Sequence, residues 1–231
     1  MQSDKQQDYW NRVAKAKTFT HPLDLTLFGE WVDKNAAIVD YGCGYGRLVK
    51  LLREKGFRQV KGFDTSAELV SRGNMNDDLS LEHIATAADL PLADGTADCI
   101  LLFAVLTCIP SNGEQKALME LLYRKLRPGG IIYLSDYYLQ SDRAEVGSYG
   151  TLDGDEDNYG VFTLPEGATF RHHTRSWMAR LTEHFIIRKE WPQKVSTMNG
   201  HNAEAFQMIL EKGEADVNCR QRAASYRNAI L

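Results

Sequence analysis

Residues 36–52 read AAIVDYGCGYGRLVKLL: a short apolar run, an acid, three glycines at alternate positions, then leucines at helical spacing. A strand that breaks into a glycine turn and re-emerges as a helix leaves a chain few folds. Glycines turn the backbone sharply and let a ligand approach backbone N–H groups. A dinucleotide fingerprint needs G-x-G-x-x-G, with an acid about 20 residues further on. Here the third glycine, Gly46, comes one residue early, and Arg47 stands where it belongs. Asp40 closes the apolar run just before Gly42. Its carboxylate would repel a pyrophosphate and welcome a cationic amino-acid group.

The pattern D-x-G-x-G-x-G therefore favours a ligand with an adenosine and an ammonium but no phosphates, a description that S-adenosylmethionine meets. Asp64 ends the next apolar run, 60–63, where a carboxylate can accept both ribose hydroxyls. Asp89, in Ala88-Asp89-Leu90-Pro91-Leu92, follows a third run. It is placed to accept from an adenine amino group, with Leu90 packing on the ring.

Hydrophobic periodicity predicts strands over 36–39, 60–63, 81–84, 97–103 and 131–134. Helices are expected over 8–18 and 23–33, from Leu48 to a stop at Gly56, over 66–72, and over 112–126. Asn112 reads as an N-cap with Gln115 as its capping-box partner. Strand and helix alternate with short links, which predicts an α/β doubly wound sheet with parallel strands. After Asp136 the rhythm stops. Residues 137–173 are polar and aromatic, a stretch long enough to be a lid or binding insertion. A helix over 174–183 and strands over 185–190 and 204–211 follow, then a polar tail from Ala215. One domain results: cap helices in 1–34, a cofactor-binding core in 35–136, the insertion, the end of the core in 174–212, and the tail in 213–231.

Four segments, VDYGCGYGRL, GFDTS, AADLPLADGTADCILLFAVL and LRPGGIIYLSD, resemble in order and spacing the successive motifs of class I (Rossmann-like) S-adenosylmethionine-dependent methyltransferases, of the small-molecule type. The likeness spans about residues 36–136. It implies a seven-stranded sheet, mostly parallel with an antiparallel last strand. It also implies roles for the matched residues. Gly42, Cys43 and Gly44 would line the methionine part of the cofactor; Asp64 and Thr65 would meet the ribose, Asp89 and Leu90 the adenine. Phe103, Ala104 and Val105 would face the transferred methyl. Tyr9, Trp10 and Phe19 lie where family members often close over the cofactor.

Composition bounds the partners. The chain has 231 residues and a formal net charge of -4, which gives no bulk attraction for nucleic acid. MQSDKQQDYW lacks an apolar h-region, and no run approaches ~18 apolar residues, so neither a secretory signal nor a membrane span is expected. Cys43, Cys99, Cys108 and Cys219 are scattered, which fits a reducing cytoplasm and argues against a zinc site. Thr107-Cys108-Ile109-Pro110 stands where methylases of nucleobase amines carry [DNS]-P-P-[YF]. The acids at 153, 155, 156 and 157 miss calcium-loop spacing.

Methyl transfer from a sulfonium needs alignment of nucleophile and methyl at ~3–3.5 Å, a dry pocket, no metal, and a base if the nucleophile carries a proton. His172, His173 and His201 are the candidate bases. Tyr137 and Tyr138 are candidates for an aromatic acceptor pocket. Arg171 can pair either with an acceptor carboxylate or with the acidic run. The expected function is S-adenosylmethionine-dependent methylation of a small metabolite or natural product by a monomer or homodimer. Peptide or protein N-methylation and a non-catalytic cofactor-binding subunit are the alternatives.

Overall fold

The computed structural model describes residues 2–145, 147–152, 154–198 and 200–214. The predicted polar tail from Ala215, with Cys219, and the acid Asp153 lie outside the described residues.

Helix α1 (Gln2–Val13) is followed by α2 (Leu25–Trp31), whose first turn is capped by Asp24 accepting from Leu27 N–H. The alternating unit follows: β1 (Ala37–Tyr41), α3 (Arg47–Glu54), β2 (Gln59–Asp64), α4 (Ala67–Asp77), β3 (Glu82–His83), β4 (Ala97–Phe103), α5 (Asn112–Lys125) and β5 (Leu126–Tyr137). The insertion is not structureless. It contains α6 (Ser141–Glu145) and a hairpin of β6 (Val161–Thr163) and β7 (Thr169–Arg171). The chain then returns through α7 (Arg175–Leu181), β8 (Ile186–Ser196) and β9 (Asn202–Glu211).

The seven-stranded sheet runs β3-β2-β1-β4-β5-β9-β8. Neighbours from β3 to β5 are parallel, and β9 is antiparallel to both β5 and β8. The expected mostly parallel sheet with an antiparallel last strand is therefore present. That last strand sits between β5 and β8 rather than at an edge. Alternate residues of a strand point to opposite faces, and both faces here are covered. Ile100, Leu102, Ile132 and Leu134 join Leu118, Leu122, Met178 and Leu181 in one buried cluster. Cys99, Leu101, Ile131 and Tyr133 join Phe28, Leu48 and Leu52 in the other. Burial on both faces explains the near-continuous apolar run of β4.

One cap differs from its prediction. The N-cap of α5 is Ser111, whose Oγ accepts from Glu114 N–H, and Asn112 is the first helical residue. Gln115 is no capping-box partner. It is buried, donates to the carbonyls of Leu106 and Ile109, and accepts from the Trp177 indole N–H. The turn at Leu106–Cys108 and helix α7 pack over this point and supply those partners, which a local motif cannot foresee. Among the described residues, no helix is long and apolar enough to cross a membrane.

Candidate active site

The strand order reverses direction between β1 and β4, and a cavity of about 440 Å³ opens at the carboxyl ends of these strands. Open α/β sheets bind ligands at such a switch point. The floor of one half is the loop after β1. Gly42 and Cys43 donate their N–H groups to Phe63 O at 2.8 and 3.1 Å, and Gly44 N–H donates to Asp64 Oδ2 at 2.7 Å. The loop is thereby tied to the end of β2. Gly42 has φ of 72°, and a Cβ there would lie 2.5 Å from Val105 Cγ2. A Cβ on Gly44 would enter the ring of Phe19, which stacks on Tyr45 with 5.1 Å between centroids.

Two acids face this half. Asp64 accepts from Ser66 N–H at 2.8 Å as well as from Gly44. Thr65 N–H also bonds this carboxylate, which leaves part of its usual four lone-pair sites for a ligand. Burial raises the Asp64 pKa, and the Ser66 and Gly44 N–H groups pull against it. Asp40 is fully buried and its Oδ2 has no hydrogen-bond partner. Burial pushes its carboxyl up to about 7, with the Arg47 guanidinium lowering it and Asp64 raising it further. Arg47 donates to His21 O and leaves its own Nε without a partner. Cys43 and Thr65 line the same wall, with Phe103, Ala104 and Val105 at the end of β4. Ala104 holds φ of 54°, a left-handed conformation rare for a residue with a side chain, while its N–H donates to Ser135 O.

Helix α1 roofs this half. Gln7 donates to Thr65 O at 2.5 Å, and Asn11 Oδ1 accepts from Ser66 Oγ at 2.7 Å. Arg72 of α4 donates to the carbonyls of Ala14 and Lys17. Trp10 and Phe19 line the cavity. Tyr9 is buried behind them, edge-on to Trp10 and Phe170, and is not part of the cavity wall.

The other half is built by the insertion and the β8–β9 turn: Tyr137, Arg143, Phe162, Phe170, His172, Met198 and His201. His172 Nδ1 lies 2.5 Å from the Tyr149 hydroxyl. Burial, with help from His173 and Arg143, lowers its pKa to about 3, far too low for the base expected at neutral pH. His173 is fully buried off the cavity, with Nε2 3.5 Å from Asp136 Oδ1. His201 is exposed at the rim.

Strand alternation decides three further positions. Tyr137 points in. Tyr138 points to the opposite face, where it stacks on Phe206 at 4.0 Å and donates to Glu190 at 2.7 Å. Phe170 and His172 face the cavity, whereas Arg171 between them is buried away from it. Arg171 donates to Asn112, Asn158 and the carbonyls of Pro110 and Asp157, and so ties the insertion to α5. It therefore meets the acidic run through a backbone carbonyl and not an acceptor in the cavity. Asp89 is exposed and bonds to its own segment. Its Oδ2 accepts from both Thr86 N–H and Thr86 Oγ1, a complete capping box, and Leu90 is buried in the core; neither lines the cavity.

His21 is a cavity residue that sequence reasoning missed, and no local pattern marks it. It lies in the α1–α2 connection with Nδ1 2.8 Å from Ser135 Oγ. Ser135 Oγ also accepts from Gln207, which donates as well to Pro22 O and accepts from the Tyr133 hydroxyl. With Gln207 donating to it, the Ser135 proton goes to His21 Nδ1. The imidazole N–H is therefore at Nε2, which is buried without a partner. Burial lowers the His21 pKa to about 4. Arg143 and Phe162 were missed too; they reach the cavity only because the insertion folds back over the sheet.

The donor set fits a cofactor with a cationic amino-acid end and a ribose. The partnerless Asp40 Oδ2 suits an ammonium, and the spare lone pairs of Asp64 suit a diol. The methyltransferase-domain family matches residues 15–188, well over half of the chain. The chain belongs to this family. A solved S-adenosylmethionine-dependent methyltransferase from Methanosarcina mazei superposes with a TM-score of 0.73 at 22% identity, covering 84% of this chain and all of that one. The 1,6-didemethyltoxoflavin-N1-methyltransferase of Burkholderia thailandensis, solved with its acceptor and S-adenosylhomocysteine, gives 0.57 at 15% identity over 92% of this chain and 80% of that one. A ribosomal protein L11 methyltransferase of Shewanella pealeana is 30% identical over 136 residues, 57% of this chain and 45% of the relative. The chain thus spans about half the length of that curated relative. This methyltransferase-family chain has the class I fold, and its glycine loop and Asp64 occupy the floor of the cavity.

Proposed function

We propose that the chain is an S-adenosylmethionine-dependent methyltransferase for a small-molecule acceptor. The observation that carries this reading is the two-ended cavity: Asp40 and Asp64 at one end, an aromatic chamber at the other, and α1 latched over the junction. Its volume is that of a small-ligand site. S-adenosylmethionine, when bound, supplies a methyl carbon activated by its sulfonium. Asp40 would hold the amino group, Asp64 the ribose hydroxyls, and Ala104 and Val105 the neighbourhood of the methyl. Trp10, Phe19 and Phe170 exclude water, which suits a step in which charge disappears. The acceptor lone pair attacks in line with the departing sulfur, and the chain's work is alignment.

The relative named for a ribosomal protein supports a protein acceptor as the second reading. The aromatic walls of the acceptor half, Tyr137, Phe162 and Phe170, favour the small molecule. We place the enzyme in the cytoplasm as a monomer or homodimer, with neither nucleic acid nor membrane as partner, in line with its charge and scattered cysteines.

Titration calorimetry with S-adenosylmethionine, S-adenosylhomocysteine and NAD tests the reading. The first two should bind and NAD should not. Asp64→Ala should weaken binding by more than about 100-fold, since two charge-assisted hydrogen bonds are worth about 3 kcal/mol or more, with Asp64→Asn intermediate. Binding of NAD alone, or full-strength donor binding by folded Asp64→Ala, would overturn it.

A further inference from the structure

The aromatic half of the cavity carries a polar pair that the donor does not need. Arg143 lies with its guanidinium carbon 4.3 Å from the centroid of the Phe162 ring. The His172 ring stands edge-on to that same ring, with centroids 4.8 Å apart. Both residues line the cavity. Among the described residues no carboxylate forms an ion pair with Arg143. The nearest acid in sequence, Asp142, turns its Oδ1 to the Arg143 backbone N–H at 2.8 Å.

The protonation of His172 follows from its neighbours. The Tyr149 hydroxyl oxygen accepts from Gln140 N–H at 2.9 Å. Its own proton then points at His172 Nδ1, 2.5 Å away. A neutral imidazole that accepts at Nδ1 carries its hydrogen at Nε2. No described group accepts from Nε2, so this N–H is left for a ligand. Around the pair the wall is apolar and flat: Phe162 stacks with Phe170, and Tyr137 lies tilted against His172 at 5.0 Å. A cation, an N–H donor and aromatic faces at one spot suit a planar molecule with a negatively charged oxygen.

We propose that this half of the cavity binds a planar acceptor through an anionic oxygen, a carboxylate, phenolate or enolate, held between the Arg143 guanidinium and the Nε2–H of His172, with Tyr149 as the positioning residue that fixes the tautomer. Only the word acceptor rests on the methyltransferase reading; the anion site stands on its own geometry. His172 in this role gives a hydrogen bond and takes no proton.

The full chain tests this with two probes of one shape, 2-naphthoate and 2-naphthamide, titrated in the presence of S-adenosylhomocysteine. Naphthoate should bind at least tenfold more tightly than the amide. Arg143→Gln should abolish that preference and leave S-adenosylhomocysteine affinity unchanged. With ¹⁵N-labelled histidine, His172 should show the Nε2–H tautomer, and Tyr149→Phe should give a mixture of tautomers in a protein that still binds S-adenosylhomocysteine. Equal binding of the two probes, no binding of naphthoate at 10 mM (about 2.7 kcal/mol at that limit), an unaltered preference in Arg143→Gln, or an Nδ1–H or charged His172 would each overturn the proposal. Naphthoate selectivity without S-adenosylhomocysteine affinity would sink the methyltransferase reading and leave the anion site standing.

Discussion

Asp40 holds its proton up to about pH 7 because it is buried and one of its oxygens has no partner. An unfolded aspartate titrates near ~3.9. Between those values the folded protein binds the extra proton, so stability in the free protein falls as pH rises through this window. Asp40→Asn, close in shape and neutral, should therefore raise Tm at pH 8 by several degrees (about 2–4 °C per kcal/mol for a chain of this size). At pH 5 the gain should be less than half as large, because the unfolded aspartate has already lost its proton while Asp40 keeps its own. The same variant should lose most donor affinity, because the amide offers no charge to an ammonium. Thermal unfolding at both pH values checks the first claim, and a Tm gain no larger at pH 8 than at pH 5 would refute it. In the wild type, a cationic donor favours the carboxylate, so binding at pH 6.5 should release a proton, visible as a heat that varies with buffer ionisation enthalpy. Asp40, Asp64 and the glycines were legible in sequence because strand end, turn and acid are neighbours along the chain. Asp89 has a local partner that the motif did not show: a short acid three residues after Thr86 can close a capping box on its own turn.

Elements were legible where periodicity is strong and less so at their ends. The apolar positions Tyr9, Trp10 and Val13 marked α1, yet the helix ends at Val13 rather than running to 18. Beyond Val13 the carbonyls of Ala14 and Lys17 are taken by Arg72 from α4, a tertiary partner with no local signature. This latch makes α1 a roof whose hold is a few hydrogen bonds. Each is worth ~0.5–1.5 kcal/mol. Replacing Gln7 and Asn11 together by alanine should speed release of S-adenosylhomocysteine roughly tenfold while Tm moves by only a few degrees. Stopped-flow displacement measures the rate; an unchanged rate would show that α1 does not gate the site. The insertion was recognisable as an interruption, but its hairpin was not, because β6 and β7 are three residues each. Alternation along that hairpin and the residue after it then set which neighbour faces the cavity, with Phe170 and His172 inside and Arg171 outside.

At the scale of the molecule, the doubly wound order followed from alternating periodicities. The slot of β9 between β5 and β8 did not, since no pattern in a strand says which neighbours it will choose. That slot matters because Gln207 of β9 sets the proton on His21 through Ser135. Two histidines from different halves of the chain both pack on Tyr137, with centroids 4.7 and 5.0 Å from its ring. Both are held neutral, with pKa values lowered to about 4 and about 3, burial being the first cause in each. For a histidine depressed on folding, the unfolded chain binds more protons below ~6.5. The stability from these neutral rings is therefore complete above pH 6.5 and is lost as pH falls towards 4. At pH 5 each should cost about 2 kcal/mol. Asp40 acts in the opposite sense over the same interval, so the wild-type profile alone would hide the effect. A difference between proteins exposes it: His21→Gln/His172→Gln, which cannot take a proton at either site, should lose stability relative to wild type at pH 7.5 through lost packing and hydrogen bonds. That deficit should shrink by about 4 kcal/mol at pH 5. Urea unfolding of both proteins at both pH values reads this directly. A deficit that stays constant would mean that the two imidazoles protonate as freely in the folded protein as in the unfolded chain, and that the cavity is wetter than its walls imply.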